Sequence, residues 1–179
     1  MNSKARHWTF IVYPDSINEF WIDQLIETGL PFAISPLHNK DINPDGSVKK
    51  EHYHICITYD GPTTFNNVKQ LTESIGATIP KRVMSLRGIY RYLSHEDNPD
   101  KYHYDSKEIK EYNNFHIDMT ESEITFKKAQ IVDMLQASNI KNYAELVNYY
   151  LSSGDYDSFK IVSTNTFFFA KYIDSKNRM

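Results

Sequence analysis

The chain has 179 residues, with 20 basic and 23 acidic side chains and a formal charge of −3. Apolar residues make up 40% and charged residues 24%, a globular balance rather than a disordered one, and 14% aromatics supply material for a core. No apolar run approaches the roughly 20 residues of a membrane span, the single Cys56 excludes an intramolecular disulfide, and the acidic total argues against a nonspecific nucleic-acid coat.

The apolar stretch in MNSKARHWTFIVYP reads as a strand from Trp8 to Tyr13 stopped by Pro14, not as a signal peptide, so the expected location is the cytoplasm. A helix over Ile17 to Thr28 follows, with Phe20, Trp21, Leu25 and Ile26 near helical spacing and Gly29 as its stop. Phe32 to Leu37 is a second strand, Asn43-Pro44-Asp45-Gly46 a turn, and Glu51 to Tyr59 the returning strand of a hairpin. A helix from Phe65 to Ile75, a strand from Thr78 to Met84 and a helix from Leu86 to His95 complete this part. The order strand, helix, strand, strand, helix, strand predicts an α+β fold. Its plan is the ferredoxin-like or split βαβ one, an antiparallel sheet with helices on one face.

After Asp118 the pattern turns all-helical and predicts a small appended all-α domain over 119–179. Thr120-Glu-Ser-Glu123 is a capping-box pattern, Asn142-Tyr-Ala-Glu145 opens a second helix ended by Gly154, and Asp155 caps a third running through Phe159, Val162, Phe169 and Ile173. Successive helical residues point about 100° apart. Phe167-Phe168-Phe169 therefore implies either a partner subunit or a helix buried all round.

The segment Glu51-His52-Tyr53-His54-Ile55-Cys56-Ile57 carries the first chemistry. Strand alternation puts His52, His54 and Cys56 on one face, and Tyr53, Ile55 and Ile57 on the other against the helices. His38 closes the preceding strand, so the hairpin brings it beside His52 and His54, and Asp41 follows three residues on. Three imidazoles and a carboxylate suit one divalent ion: manganese first, with zinc or magnesium as alternatives.

On the helix from Leu86, the residues Leu86, Ile89, Tyr90 and Leu93 form a stripe for burial. Tyr92 and His95 lie on the far side, about 60° apart. Tyr92 is thus the available phenol, a nucleophile if a metal polarises the phosphodiester it attacks. No acidic residue occurs from Ser74 to His95, whereas Lys81, Arg82, Arg87 and Arg91 do, a local charge that suits a phosphate backbone. The loop from Asn43 through Lys49 and Lys50 is a further candidate contact.

Trp8-Thr-Phe-Ile-Val-Tyr-Pro14, the stretch Pro36 to Asp41, His52-Tyr-His54 and Tyr92-Leu-Ser-His95-Glu-Asp-Asn-Pro99 resemble, in that order, the motifs of RepB-type plasmid rolling-circle replication initiators of the HUH endonuclease superfamily. The resemblance implies an origin-binding and nicking domain over 1–118. Its substrate would be plasmid origin DNA, single-stranded at the nick, and its products a covalent 5′-phosphotyrosine and a free 3′-OH. By motif, His38, Asp41, His52 and His54 would be metal ligands, Tyr92 the nucleophile, and His95 a residue beside it that orients the phosphate. Tyr53 stands where the family's histidine motif usually has an apolar residue. The family also implies a helical domain that assembles a homo-oligomer, often a hexameric ring, and a host helicase and polymerase as partners.

Three other readings stand beside this one. A conjugative relaxase or single-tyrosine transposase of the same superfamily is one; relaxases usually carry the tyrosine near the N-terminus, before the histidines, whereas Tyr92 follows them. A histidine-nucleophile hydrolase needs a third histidine where Cys56 stands. A non-catalytic nucleic-acid binding module needs exposed stacking aromatics, and the first strand offers only His7, Thr9 and Tyr13 on one face.

Overall fold

The computed structural model describes residues 4–178. The elements run β1 (Lys4–Val12), α1 (Trp21–Glu27), β2 (Phe32–Ile34), β3 (Tyr53–Thr64), α2 (Phe65–Ile75), β4 (Lys81–Val83), α3 (Leu86–Tyr92) and β5 (Lys110–Tyr112), then α4 (Glu121–Ala137), α5 (Tyr143–Ser153), α6 (Tyr156–Thr164) and α7 (Thr166–Lys176). The strands form one sheet in the order β4-β1-β3-β2-β5, with every pair antiparallel. Strands β1 to β4 with α1 and α2 are the split βαβ plan expected from the sequence. The chain divides into one compact unit up to Ile117 and another from Asp118.

Alternation along β1 and β3 sorts the sheet into two faces. Trp8, Phe10 and Val12 join Ile55 and Ile57, and against them pack Trp21 and Leu25 of α1 and Val68 and Ile75 of α2. The opposite face carries Cys56 and Ala33, covered in part by Leu86, Ile89, Tyr90 and Leu93 of α3, the stripe read from the sequence, together with Phe115. Helix α3 therefore lies over the histidine-bearing face, which the hairpin pattern alone leaves uncovered.

Several elements differ in extent. Helix α1 starts at Trp21 rather than Ile17, because residues 13–18 form turns: Ser16 and Ile17 both donate to the Tyr13 carbonyl, and Asn18 Oδ1 accepts from the Phe20 amide. Strand β3 runs on to Thr64, pairing with Lys4 and Ala5 beyond an irregularity in which β3 residues 59–62 face Arg6 alone. The third predicted helix is two, α6 and α7, broken at Asn165 (φ −120°, ψ 39°), whose side-chain amide donates back to the Ile161 carbonyl. The capping box at Thr120 and Glu123 is formed, as are the Asn142 and Asp155 caps. Of the three phenylalanines, Phe169 is buried whereas Phe167 is 78% and Phe168 49% exposed, so α7 is not a helix buried all round.

The core assignment has a direct test. Ile57→Ala should lower the unfolding free energy from urea titration by about 2–5 kcal/mol, because Ile57 is fully buried between the sheet and its helices. Ile79→Ala, at an exposed position, should stay within about 0.5 kcal/mol.

Candidate active site

The site is built on one antiparallel bridge. His38 and His52 are paired across the hairpin and exchange both backbone hydrogen bonds: the His38 amide donates to the His52 carbonyl at 2.9 Å and the His52 amide to the His38 carbonyl at 3.3 Å. Paired residues project to the same side of a sheet, and residue i+2 does likewise. His54, opposite Ile11 of β1, thus joins His38 and His52. The ring centroids lie 5.3 Å apart for His38 and His52, 4.9 Å for His38 and His54, and 4.9 Å for His52 and His54. Asp41, 4% exposed, sets its carboxylate 3.6 Å from His38 Nδ1, 3.8 Å from His52 Nε2 and 3.6 Å from His95 Nδ1.

Backbone carbonyls fix which nitrogen of each ring is free. His38 Nε2 lies 2.9 Å from the Leu93 carbonyl, His52 Nδ1 2.7 Å from that of Lys50, and His95 Nδ1 2.9 Å from that of Tyr102. A carbonyl only accepts, so each of these nitrogens carries the proton and the other keeps its lone pair. Such second-sphere bonds orient metal-binding histidines. The remaining His38 Nδ1 and His95 Nε2 are buried with no hydrogen-bond partner, an arrangement that costs free energy unless a ligand supplies the missing interaction. Burial holds His54 down to about 2 and His38 down to about 4, with the neighbouring imidazoles adding to the depression, and it lowers His95 too. All three are neutral at physiological pH, the form that ligates. Two donor sets converge: His38, Asp41 and His52, and His38, His54 and His95. The residues present fit a divalent cation with mixed nitrogen and oxygen ligands.

The candidate nucleophile stands beside this cluster. The Tyr92 ring is edge-on to His54 at 5.2 Å and to His95 at 5.1 Å. With Asp41, His52, His54, Lys49 and Lys50 it lines an open groove. A larger cavity beside Trp21, Ile34 and Tyr53 opens on the helix-bearing side and, among the described residues, has no unpartnered buried side-chain donor or acceptor along its wall. Tyr90, the other phenol of α3, donates to Glu111 at 2.6 Å, and burial with that carboxylate pushes it up to about 12.

His95 holds an unusual backbone position. The His95 amide donates to the Tyr92 carbonyl and the Glu96 amide to that of Arg91, a Schellman closure of α3. The residue in the left-handed position is His95 itself, at φ 60°, where glycine is the usual occupant and another residue is strained by roughly 1–3 kcal/mol. This turn delivers the His95 ring to the metal donors. The family resemblance implies a residue beside Tyr92 that orients the phosphate; the His95 ring lies 5.1 Å from that of Tyr92 and 4.5 Å from that of His38.

The basic candidates separate. Lys81 is paired with Thr9 and lies on the site face of the sheet, whereas Arg82, paired with Trp8, lies on the helix-bearing face. Arg91 is tied to Asp97 and Glu96. Lys50 pairs with Asp15 at 2.9 Å and sits over the Tyr13 ring, Lys49 lines the groove, and Arg87 is half-buried on the first turn of α3. The structure adds two residues that periodicity did not single out for these contacts. Tyr104 stacks on His38 at 4.2 Å and 4° and donates to Asp41 Oδ1 at 3.2 Å. Lys101 Nζ lies 2.6 Å from Tyr92 Oη. Both come from a loop without hydrophobic periodicity.

The buried donors make stability depend on pH, and a divalent ion bound among them would add to it. In the unfolded chain His38 and His54 take a proton near 6.5, whereas the fold holds them neutral well below that. The unfolded state therefore binds more protons under acid conditions. The melting temperature should be level above pH 7 and fall as pH drops from about 6.5 towards 4. At neutral pH, manganese at one hundred times its dissociation constant should add ~2.7 kcal/mol of stability, an increment that His52→Ala should remove. Calorimetry with and without the ion checks both.

Known proteins bear on this geometry. The family described as the plasmid replication protein origin-binding domain matches residues 1–118. A replication protein RepB of Lactiplantibacillus plantarum is 36% identical over 180 residues, covering 96% of this chain and 81% of the relative. A replication protein of Staphylococcus aureus is 30% identical over 181 residues, covering 99% and 91%. A replication protein RepB of Streptococcus agalactiae is 31% identical over 166 residues, covering 85% and 79%. The matched domain takes in the whole sheet and every candidate ligand, and the chain belongs to this family of plasmid replication proteins, as a replication initiator with an origin-binding domain.

Proposed function

We propose that the chain initiates rolling-circle replication by nicking one strand of the plasmid origin, with Tyr92 as nucleophile and a divalent ion, manganese first among the candidates, held by His38, Asp41, His52 and His54. The observation that carries this reading is the Tyr92 ring standing edge-on to His54 and His95 at the rim of a buried cluster of imidazoles with unpartnered nitrogens. A divalent ion there supplies the Lewis acid that polarises the scissile phosphate.

The chain's own residues do the rest. Tyr92 Oη gives its proton to solvent and forms a bond to phosphorus. The P–O3′ bond breaks with its electron pair going to the 3′ oxygen, which takes a proton from water. The result is a 5′-phosphotyrosine link and a 3′-OH that primes synthesis, and the reverse sequence rejoins strands. His95, with Nε2 directed into the donor cluster, supplements the ligand set. Lys81 on the site face and Lys49 and Lys50 beside the groove contact the DNA backbone, with Arg87 on the first turn of α3 a further candidate. Arg82 and Arg91 are weaker candidates because of the face of one and the carboxylate partners of the other.

Residues 119–179 serve homo-oligomerisation in this proposal, as a ring that is hexameric in the family pattern. Phe126, Phe167 and Tyr156 are each more than 60% exposed there, more apolar surface than so small a bundle hides by itself. The sequence has no phosphate-binding G-x-x-x-x-G-K-[ST] loop, so strand separation falls to a host helicase and extension to a host polymerase. No helix among the described residues is long and apolar enough to cross a membrane.

The test is a covalent adduct. With manganese and a labelled single-stranded oligonucleotide spanning the origin of its own replicon, wild type should form a protein–DNA adduct that survives denaturation, and chelation should abolish it. Tyr92→Phe should form none, whereas Tyr90→Phe should retain it. An adduct persisting in Tyr92→Phe would move the nucleophile to Tyr90, Tyr102 or Tyr104. An intact oligonucleotide with manganese, magnesium and zinc alike would leave a non-catalytic binding module.

A further inference from the structure

We propose that Lys101 is a further catalytic residue: its ammonium group holds the Tyr92 oxygen and carries the positive charge that balances this oxygen when it makes and breaks its bond to phosphorus. The inference rests on the reading of Tyr92 as nucleophile and adds a residue that neither the helix pattern nor the family motif assigns. Lys101 Nζ lies 2.6 Å from Tyr92 Oη and 4.3 Å from the centre of its ring. Among the described residues no carboxylate pairs with Lys101. A surface lysine ordinarily extends its strongly hydrated ammonium into water, whereas this one turns back onto a neutral phenol.

The backbone explains why. The segment 98–104 is a strap pinned at several points. The Lys101 amide donates to the Asn98 carbonyl at 3.0 Å, the Tyr102 carbonyl accepts from His95 Nδ1 at 2.9 Å, and the Tyr104 amide donates to the Ser94 carbonyl at 3.1 Å. Tyr104 then stacks on His38 and reaches Asp41. One short segment thus orients two imidazoles and the carboxylate and also presents a cation to the phenol. The distance between nucleophile and metal donors is set by this strap as well as by α3. His95, which by family motif is the residue beside Tyr92, lies in the donor cluster, and the cation beside the phenol comes from nine residues downstream.

The chemistry balances without any added reagent. In nicking, the phenol proton leaves to solvent, Oη forms its bond to phosphorus, and the P–O3′ electron pair departs with the 3′ oxygen, which takes a proton from water. Lys101 keeps its own protons throughout. In joining, the 3′-OH gives its proton to water and attacks, the P–Oη bond breaks, and its electron pair returns to an oxygen already facing the ammonium group. The same N–H···O contact therefore serves both directions.

Single-turnover nicking by the full chain, with manganese and the single-stranded origin oligonucleotide, tests this. Lys101→Met should slow adduct formation by about 100- to 1,000-fold, the range for loss of one preorganised donor at a charge-bearing oxygen. Rejoining should slow by a similar factor, with oligonucleotide affinity nearly unchanged. Lys101→Arg should recover much of the rate, and added methylamine should raise the rate of Lys101→Ala, which no purely structural role allows. The manganese-induced rise in melting temperature should match wild type in Lys101→Met, showing an intact fold and donor cluster. Wild-type rates in Lys101→Met, or a rate loss that only follows weakened DNA binding, would overturn the inference. Tyr92→Phe runs alongside: an adduct from that variant overturns the nucleophile reading itself, whereas an inactive Tyr92→Phe beside a fully active Lys101→Met overturns the role of Lys101 alone.

Discussion

The pairing of His38 with His52 is the constraint on which the site depends. Two reciprocal backbone hydrogen bonds fix the register where the β2–β3 hairpin runs into its connecting loop. Because strand side chains alternate with a period of two, a slip of one residue would turn His54 to the helix-bearing face and bring Tyr53 and Ile55 to the groove. Register is secured from behind. Ile55 and Ile57 are fully buried against α1 and α2, so the apolar face that builds the core also dictates where the imidazoles project. Fold stability and donor geometry are two consequences of one alternation.

Burial then determines what the cluster can be. Four imidazoles within a few ångströms would repel one another if the rings were protonated, the Asp41 carboxylate offsets this only in part, and desolvation opposes the charge. The fold responds by giving three of the rings a carbonyl for one nitrogen, leaving the other bare. Tolerating unpartnered nitrogen atoms and a histidine in the left-handed conformation is destabilising for the protein by itself. Strain of this kind persists where surrounding structure over-determines it, and here α3, the strap and the hairpin all do so.

Much of this was legible in the sequence because it is written in short-range periodicities. Alternation in β3 separated His52, His54 and Cys56 from Tyr53, Ile55 and Ile57. The 3.6-residue stripe of α3 separated Tyr90 from Tyr92, and the caps at Thr120, Asn142 and Asp155 marked three helix starts. Other features have no period to read. Strand β5 is three residues, Lys110–Tyr112, recruited by pairing with β2 rather than by its own pattern. The strap carrying Lys101 and Tyr104 is irregular backbone, and its side chains reach the site through tertiary hydrogen bonds. The break between α6 and α7 depends on one asparagine amide folding back on the preceding turn. Arg82 looked equivalent to Lys81 as charge in a run, but adjacent strand residues face opposite ways, and only register against β1 separates them.

The electrostatics of the groove complete the argument for a cation. A chain of net charge −3 does not draw DNA to itself by its total field, and Asp41 at the centre of the donor cluster would repel a phosphodiester brought within reach of Tyr92. Lys50 is partly neutralised by Asp15, and Arg91 by Asp97 and Glu96, which leaves Lys49 and Lys101 as the cations nearest the chemistry. Two lysines at the rim do not by themselves offset a buried carboxylate at the base, because the deeper charge is the less screened. A divalent ion among the imidazoles would reverse the local sign, because a bound cation is the largest charge in such a site. In the proposed mechanism, therefore, the requirement for metal begins with admitting the phosphate to the groove, before any bond to it is broken.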